Sequence, residues 1–98
     1  MDFVGLEAVS TGGGNATMVD FVNKTQYDVR VYWINGSGKG ALYYTLAPGA
    51  HSGFCQTYEG HCWAAKCGGH GSLATMNGDF VFRAPTTAAG NTIVFITL

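Results

Sequence analysis

Charge is the first thing this 98-residue chain lacks: charged residues make up 11% of it, against about 25% in an average globular domain. Five Lys+Arg stand against six Asp+Glu, so there is no cationic surface to collect phosphates, and an electrostatic nucleic-acid binder is excluded. No polybasic segment is present to hold an anionic membrane either. The 19-residue uncharged run from Gly40 to Tyr58 is interrupted by Pro48, three glycines, His51 and Gln56, which excludes a membrane-spanning helix. Proline is scarce, at two residues against 15 glycines, and no G-X-Y period supports a collagen-like rod. Helical periodicity is missing as well: beyond one turn's worth in Asp2–Val9, no window longer than a few residues carries it.

Cysteine is present but in the wrong number. Cys55, Cys62 and Cys67 are odd in count, which excludes a complete disulfide framework. The spacing Cys62-x4-Cys67-x2-His70 lacks the tight C-x2-C pairs of recognisable zinc sites. Buried or partly buried thiols are therefore the first expectation, one disulfide or a metal site the lesser alternatives. No cofactor and no metal are expected. Such thiols point to a reducing compartment, and the opening residues show no charged-then-apolar leader pattern, so a cytoplasmic protein is expected. Three N-x-S/T sequons, at Asn15, Asn23 and Asn35, matter only in a secreted protein.

What is there is apolar and aromatic. Hydrophobic residues reach 47%, and two Trp, five Tyr and six Phe are too many for a disordered chain. The length fits one domain burying roughly 60–65% of its unfolded surface. Thr11-Gly12-Gly13-Gly14-Asn15 is linker chemistry, so residues 1–15 are expected as a flexible N-terminal segment and 16–98 as the domain. Eight short β-rich runs follow: Ala16–Asn23, Tyr27–Asn35, Ala41–Leu46, Gly53–Tyr58, His61–Cys67, Gly71–Met76, Asp79–Arg83 and Asn91–Leu98. Asn35-Gly36-Ser37-Gly38, Pro48-Gly49, Glu59-Gly60, Gly68-Gly69, Asn77-Gly78 and Gly90-Asn91 punctuate them as turns. The spacing predicts an all-β fold, a sandwich or small barrel of seven or eight strands.

Strand parity then sorts the aromatics, because successive side chains take opposite faces. Leu42, Tyr44 and Leu46 read as core-facing, with Tyr43 pointing out; Cys62 and Ala64 read as core, with His61 and Trp63 opposite. In the second run either face fits inside, Val29, Val31 and Trp33 or Tyr32 and Ile34. If the latter pair is inside, Trp33 joins Tyr43, His61 and Trp63 in one outer cluster, which would need something to bind it. The plainer alternative makes both tryptophans ordinary core.

At this point the residues resemble a known family. Phe21-Val22-Asn23-Lys24-Thr25 followed by Val31-Tyr32-Trp33-Ile34-Asn35 resembles the opening of the β domain of the von Hippel–Lindau tumour suppressor family. The likeness continues through Gly38, Tyr43, Thr45-Leu46-Ala47-Pro48-Gly49, Thr57-Tyr58-Glu59-Gly60-His61-Cys62-Trp63, Phe80-Val81-Phe82 and Ile96-Thr97-Leu98. It implies an antiparallel β-sandwich of about seven strands whose pocket reads trans-4-hydroxyproline in an extended peptide. Trp33, Tyr43 and Trp63 match the aromatic walls, and His61 matches the histidine that meets the prolyl hydroxyl. Thr57 stands where the family has serine, and Tyr58 matches a flanking tyrosine. On this resemblance Phe21, Tyr32, Tyr44, Phe80, Phe82 and Phe95 are left to build the core.

The chemistry suits that ligand. A pyrrolidine ring packs on aromatic faces with little loss of side-chain entropy, and a hydroxyl beside an imidazole offers its 4-hydroxyl both a donor and an acceptor. Plain proline would leave each of these groups unpaired, at about 1–3 kcal/mol apiece. The likeness ends without the family's helical domain, so a ubiquitin-ligase adaptor is not an expected partner. The expected partner is a prolyl-hydroxylated peptide or protein, bound by a monomer without nucleic acid or membrane. Ser52, Gly53, Phe54, Cys55 and Gln56 replace the basic and histidine positions before Thr57, which argues against an acidic peptide. A structural or protein-interaction β-sandwich without hydroxyproline dependence is the alternative. No enzyme is expected: Cys55 or Cys62 beside His61 would need an orienting acid, and Asp20, Asp28, Glu59 and Asp79 sit in no motif that supplies it.

Overall fold

β-branched and aromatic runs between glycine- and asparagine-rich turns have little alternative to strands, and strands are what form. The computed structural model describes residue 10 and residues 14–69, 71–85 and 91–98. The described residues contain no helix and eight strands: β1 (Ala16–Asn23), β2 (Val29–Ile34), β3 (Gly40–Leu46), β4 (Cys55–Tyr58), β5 (Cys62–Cys67), β6 (Leu73–Met76), β7 (Phe82–Arg83) and β8 (Asn91–Thr97). Asn77-Gly78 makes the tight turn its sequence promises. Both residues take positive φ, 48° and 90°, as a two-residue type I′ turn requires, and Met76 and Asp79 close it with paired backbone bonds of 2.7 and 3.1 Å.

The strands form one mixed, curled sheet, a half-barrel, in the order β3-β2-β5-β6-β8-β1-β4, with β7 paired to β5. The fold is all-β, as expected, but it is not the purely antiparallel set the resemblance implies. β1 and β8 pair in parallel, Met18 opposite Asn91 through Asn23 opposite Ile96. A parallel pair needs a long crossover, and here all the other strands supply it. β3 and β4 end the order, and among the described residues no strand pairs with the outer edge of either.

The inner face holds the main core: Val19, Phe21, Val29, Val31, Leu46, Trp63, Ala65, Cys67, Ala74, Met76, Val94 and Ile96. A smaller cluster of Tyr32, Ile34, Cys62 and Ala64 lies on the other face of β2 and β5, against Leu73 and Val81. Parity therefore separates the two faces correctly but inverts inside and outside for β5: Trp63 faces the main core, and Cys62 and Ala64 the satellite. Both faces are covered, so alternation alone had no polar side to reveal which was inner. Two expected core aromatics, Phe80 and Phe95, are exposed instead.

The expectation of a flexible segment 1–15 falls mostly outside the described residues. Within them, Ser10 Oγ donates to the Ile34 carbonyl and accepts from the Cys62 amide at 2.8 Å. Asn23, one of the three sequons, is fully buried, so no glycan reaches it in the folded state.

Candidate functional site

The site forms where β3 and β4, the two ends of the sheet order, curl towards each other. A β-bulge makes it possible. Val31 pairs with Tyr44 but Tyr32 pairs with Leu42, so β3 carries one extra residue, Tyr43, opposite β2. A bulge re-aims the side chains around it. The two neighbouring tyrosines can then serve the same side: Tyr44 packs on Phe21 with ring centroids 6.3 Å apart, and Tyr43 meets Trp63 edge-on at 5.2 Å. Leu42, expected in the core, is turned out and 54% exposed. Strict alternation cannot foresee this.

The connection from β4 to β5 places the rest. Tyr58 ends β4, and the His61 amide bonds back to the Tyr58 carbonyl at 2.9 Å, with Gly60 at φ 83°. That is the position a type II turn reserves for glycine. The turn is pinned from both sides. Asn15 and Glu59 exchange bonds of 3.0 and 2.9 Å, and a Cβ on Gly14 would come 2.7 Å from Glu59 Cβ, so only glycine fits there. Opposite, Ala84 and His61 are joined at 2.9 Å, and Arg83 donates to the Gly60 carbonyl at 2.9 Å. His61 is thus presented by an anchored turn rather than a loose loop.

Trp33, Tyr43, Gln56, Thr57, Tyr58, His61 and Trp63 line one cavity of ≈ 130 Å³. That is close to the about 150 Å³ that holds a single benzene ring and below the roughly 300–1,000 Å³ of drug-sized pockets. Three hydrogen bonds hold polar groups at the wall. Trp33 Nε1 donates to His61 Nδ1 at 3.1 Å, which puts the proton of a neutral imidazole on Nε2, as a donor. Trp63 Nε1 donates to Thr57 Oγ1 at 3.0 Å, and Gln56 Nε2 to the Tyr58 hydroxyl at 2.8 Å. Both hydroxyls therefore accept, and their own protons remain to give. Trp33 and Tyr58 flank the imidazole, with ring centroids 5.6 and 5.3 Å from it. These three bonds leave the His61 Nε2 hydrogen and the Thr57 and Tyr58 hydroxyl hydrogens uncommitted by them.

The six residues singled out from sequence meet here, but not on an outer surface. Thr57 and Trp63 are each 2% exposed, and Trp63 belongs to the main core as well as to the wall, 5.0 Å from Phe21. Tyr43 and Tyr58 are the exposed rims. Gln56 is the member that sequence reading missed as a wall residue. Its one signal was parity: it precedes Thr57 by one and shares its face with Tyr58.

The cysteines are buried or half-buried thiols. All three keep their thiols, and burial pushes each of them up from its ordinary range, the opposite of activation. Cys62 and Cys67 lie on opposite faces of β5 and cannot share a ligand; His70 lies outside the described residues. No group of three or more metal-ligating side chains occurs among the described residues. Two wider hollows, ≈ 490 Å³ along Tyr27, Arg30 and Pro48 and ≈ 320 Å³ along Lys24, Tyr27 and Leu98, gather only one aromatic ring each. Compared with known proteins, the chain matches no family model and no curated protein sequence.

Proposed function

We propose that this chain is a peptide-binding module that reads trans-4-hydroxyproline, a β domain of the von Hippel–Lindau type acting as a monomer without catalysis of its own. The observation that carries the reading is the cavity: a ring-sized space walled by Trp33, Tyr43 and Trp63, with His61 and Thr57 in the same wall and each held by a tryptophan N–H. The pyrrolidine ring packs on the indoles, the 4-hydroxyl accepts from His61 Nε2 and exchanges a hydrogen bond with Thr57, and Tyr58 caps the mouth. Such a wall is pre-organised, because His61 and Thr57 are each fixed by a tryptophan N–H and little side-chain freedom is left to lose.

Calorimetric titration with two peptides that differ only in the prolyl hydroxyl tests it. The hydroxylated peptide is expected to bind about 10²-fold tighter, since plain proline leaves two groups desolvated at about 1–3 kcal/mol each. His61→Ala is expected to erase the difference while the domain stays folded. Equal affinity of the two peptides for the unaltered domain would overturn the reading. One observation favours the alternative, an interaction β domain indifferent to hydroxylation: Thr57 and Trp63 are buried and already bonded to each other. On that alternative both peptides bind alike.

A further inference from the structure

The turn that leads into β2 is braced from two sides. The Tyr27 carbonyl accepts from Asn23 Nδ2 at 2.7 Å and from the Thr25 hydroxyl at 3.0 Å, and the Tyr27 amide donates to Thr25 Oγ1 at 3.1 Å. Across from it, the Gly68 amide donates to the Asp28 carbonyl at 2.8 Å. The residues this fixed backbone carries, Gln26, Tyr27 and Asp28, are nevertheless exposed. They wall one side of the ≈ 490 Å³ hollow, which Arg30, Thr45 and the Gly68-Gly69 turn help to enclose. That volume falls within the roughly 300–1,000 Å³ of small-molecule sites. Arg30 and Thr45 are register partners on β2 and β3, so pairing of two strands sets their spacing. Asp28 and Arg30 share the hollow without pairing, since the one ion pair between described residues joins Asp20 to His51. The side chains of Gln26, Asp28, Arg30 and Thr45 make no hydrogen bond among the described residues.

We propose that this hollow binds one ring of a neutral saccharide, packed on Tyr27 and held by hydrogen bonds to Asp28 and Arg30. The inference is independent of the hydroxyproline reading: the hollow lies at the first end of β2 and the cavity at the last. A carboxylate only accepts and a guanidinium only donates, so a ligand that meets both must do both. Sugar hydroxyls do, and two neighbouring ones match the two oxygens of a carboxylate. An anion would gain from Arg30 and lose to Asp28, and a cation the reverse, so neither sign of charge is favoured. Tyr27 offers the apolar C–H face of a pyranose an aromatic surface that costs little entropy to order. The braced backbone spares the ligand the work of ordering that wall. A site so open and so small in contact area predicts weak binding, with a Kd of about 1 mM for a single sugar ring.

The probes are the methyl glycosides of glucose, galactose, mannose and N-acetylglucosamine, each offered also as the end of a trisaccharide. They are titrated into the full chain and followed by the NMR shifts of its amides. At least one is expected to move the Tyr27, Arg30 and Gly68 amides with a Kd of about 1 mM. Tighter binding of its trisaccharide would assign a polymer-borne sugar as the source, and equal binding a free one. Tyr27→Ala is expected to weaken binding about tenfold and Tyr27→Phe by less than about twofold. Asp28→Asn and Arg30→Gln are each expected to cost about fivefold. All four variants should discriminate the hydroxylated from the plain proline peptide as the unaltered domain does. No shift from any probe at about 50 mM, or shifts confined to Trp33 and Trp63 of the cavity, would overturn the inference. Sugar binding that Asp28→Asn and Arg30→Gln both leave intact would overturn it as well. So would glycine, a zwitterion, moving these amides where no sugar does.

Discussion

The two ends of β2 carry two polar clusters built on opposite plans. Before its first residue, buried Asn23 donates to the Tyr27 and Leu46 carbonyls at 2.7 and 2.9 Å and accepts from the Thr25 amide and hydroxyl at 2.9 and 2.8 Å. Both amide protons and both acceptor sites are used, the full capacity of an asparagine side chain. At the far end, the Trp33–His61, Trp63–Thr57 and Gln56–Tyr58 bonds each use one capacity of a group that has more. Neither cluster leaves a buried side-chain polar atom without a partner among the described residues. The difference lies in what remains. The Asn23 cluster is complete and holds a turn; each bond of the cavity cluster leaves capacity on its acceptor group. On the proposed reading, completeness, rather than burial or aromatic content, separates a structural polar network from one that meets a ligand.

The largest expected effect tests how far the cavity is separable from the core. Trp63→Ala removes a side chain that spans both, and deletions of this size cost about 3–5 kcal/mol, a large share of the about 5–15 kcal/mol that holds a domain. A fall of at least about 12 °C in the melting midpoint should accompany it; a loss below about 1 kcal/mol in a denaturant titration would place Trp63 outside the core. Asn23→Ala comes next, at about 2–4 kcal/mol, because it removes a donor from the Tyr27 and Leu46 carbonyls and the acceptor of the Thr25 amide. Its folded fraction should discriminate hydroxylated from plain proline as the unaltered domain does. If discrimination fell with stability, the two clusters would be coupled and the contrast between them would fail.

The strand plan was legible because turn chemistry is local: Asn77-Gly78 and Asn35 announce their turns in two to five residues. In the second, Asn35 Oδ1 accepts from the Ser37 and Lys39 amides at 2.8 and 3.1 Å. β1 is bounded as its sequence predicts; β3 gains Gly40, and the other strands are a few residues shorter than their runs, where pairing stops before propensity does. The parallel β1–β8 pair was not legible, since it joins the first and last strands and no local pattern encodes it. The bulge at Tyr43 was hidden too: Ala41–Leu46 alternates well enough as a regular strand, and only pairing against β2 exposes the extra residue. Phe80 and Phe95 look like core material by composition and are exposed because their positions, a turn and the outer face of β8, outrank their side chains. Trp33, Tyr43, Thr57, Tyr58, His61 and Trp63 were assembled from resemblance; parity alone grouped four of them and mistook the inner face for the outer.

The smallest expected effect is a pH response that the Asn23 cluster, with no titrating group, has no means to produce. Between the two edge strands, the bond to Cys55 and then burial push the Tyr44 hydroxyl up to about 12, while burial pushes the Cys55 thiol up. Both groups are held in their protonated forms. The folded domain therefore keeps protons that the unfolded chain releases, and stability falls as pH rises. The contribution is whole below the ordinary values, 9.0 for the thiol and 10.0 for the phenol, and drains away as pH climbs towards about 12. Buried Cys62 and Cys67, also raised, act in the same direction. The denaturation midpoint should be level through neutral pH and decline above about pH 9. Tyr44→Phe is expected to lose about 0.5–1.5 kcal/mol at neutral pH and to decline less steeply above pH 10. An equally steep decline would assign the alkaline response to the thiols alone and leave the seam between β3 and β4 held by packing. A shallower one would make the Tyr44–Cys55 bond the polar clasp of that seam, a closed contact like those of Asn23 set beside the open ones of the cavity.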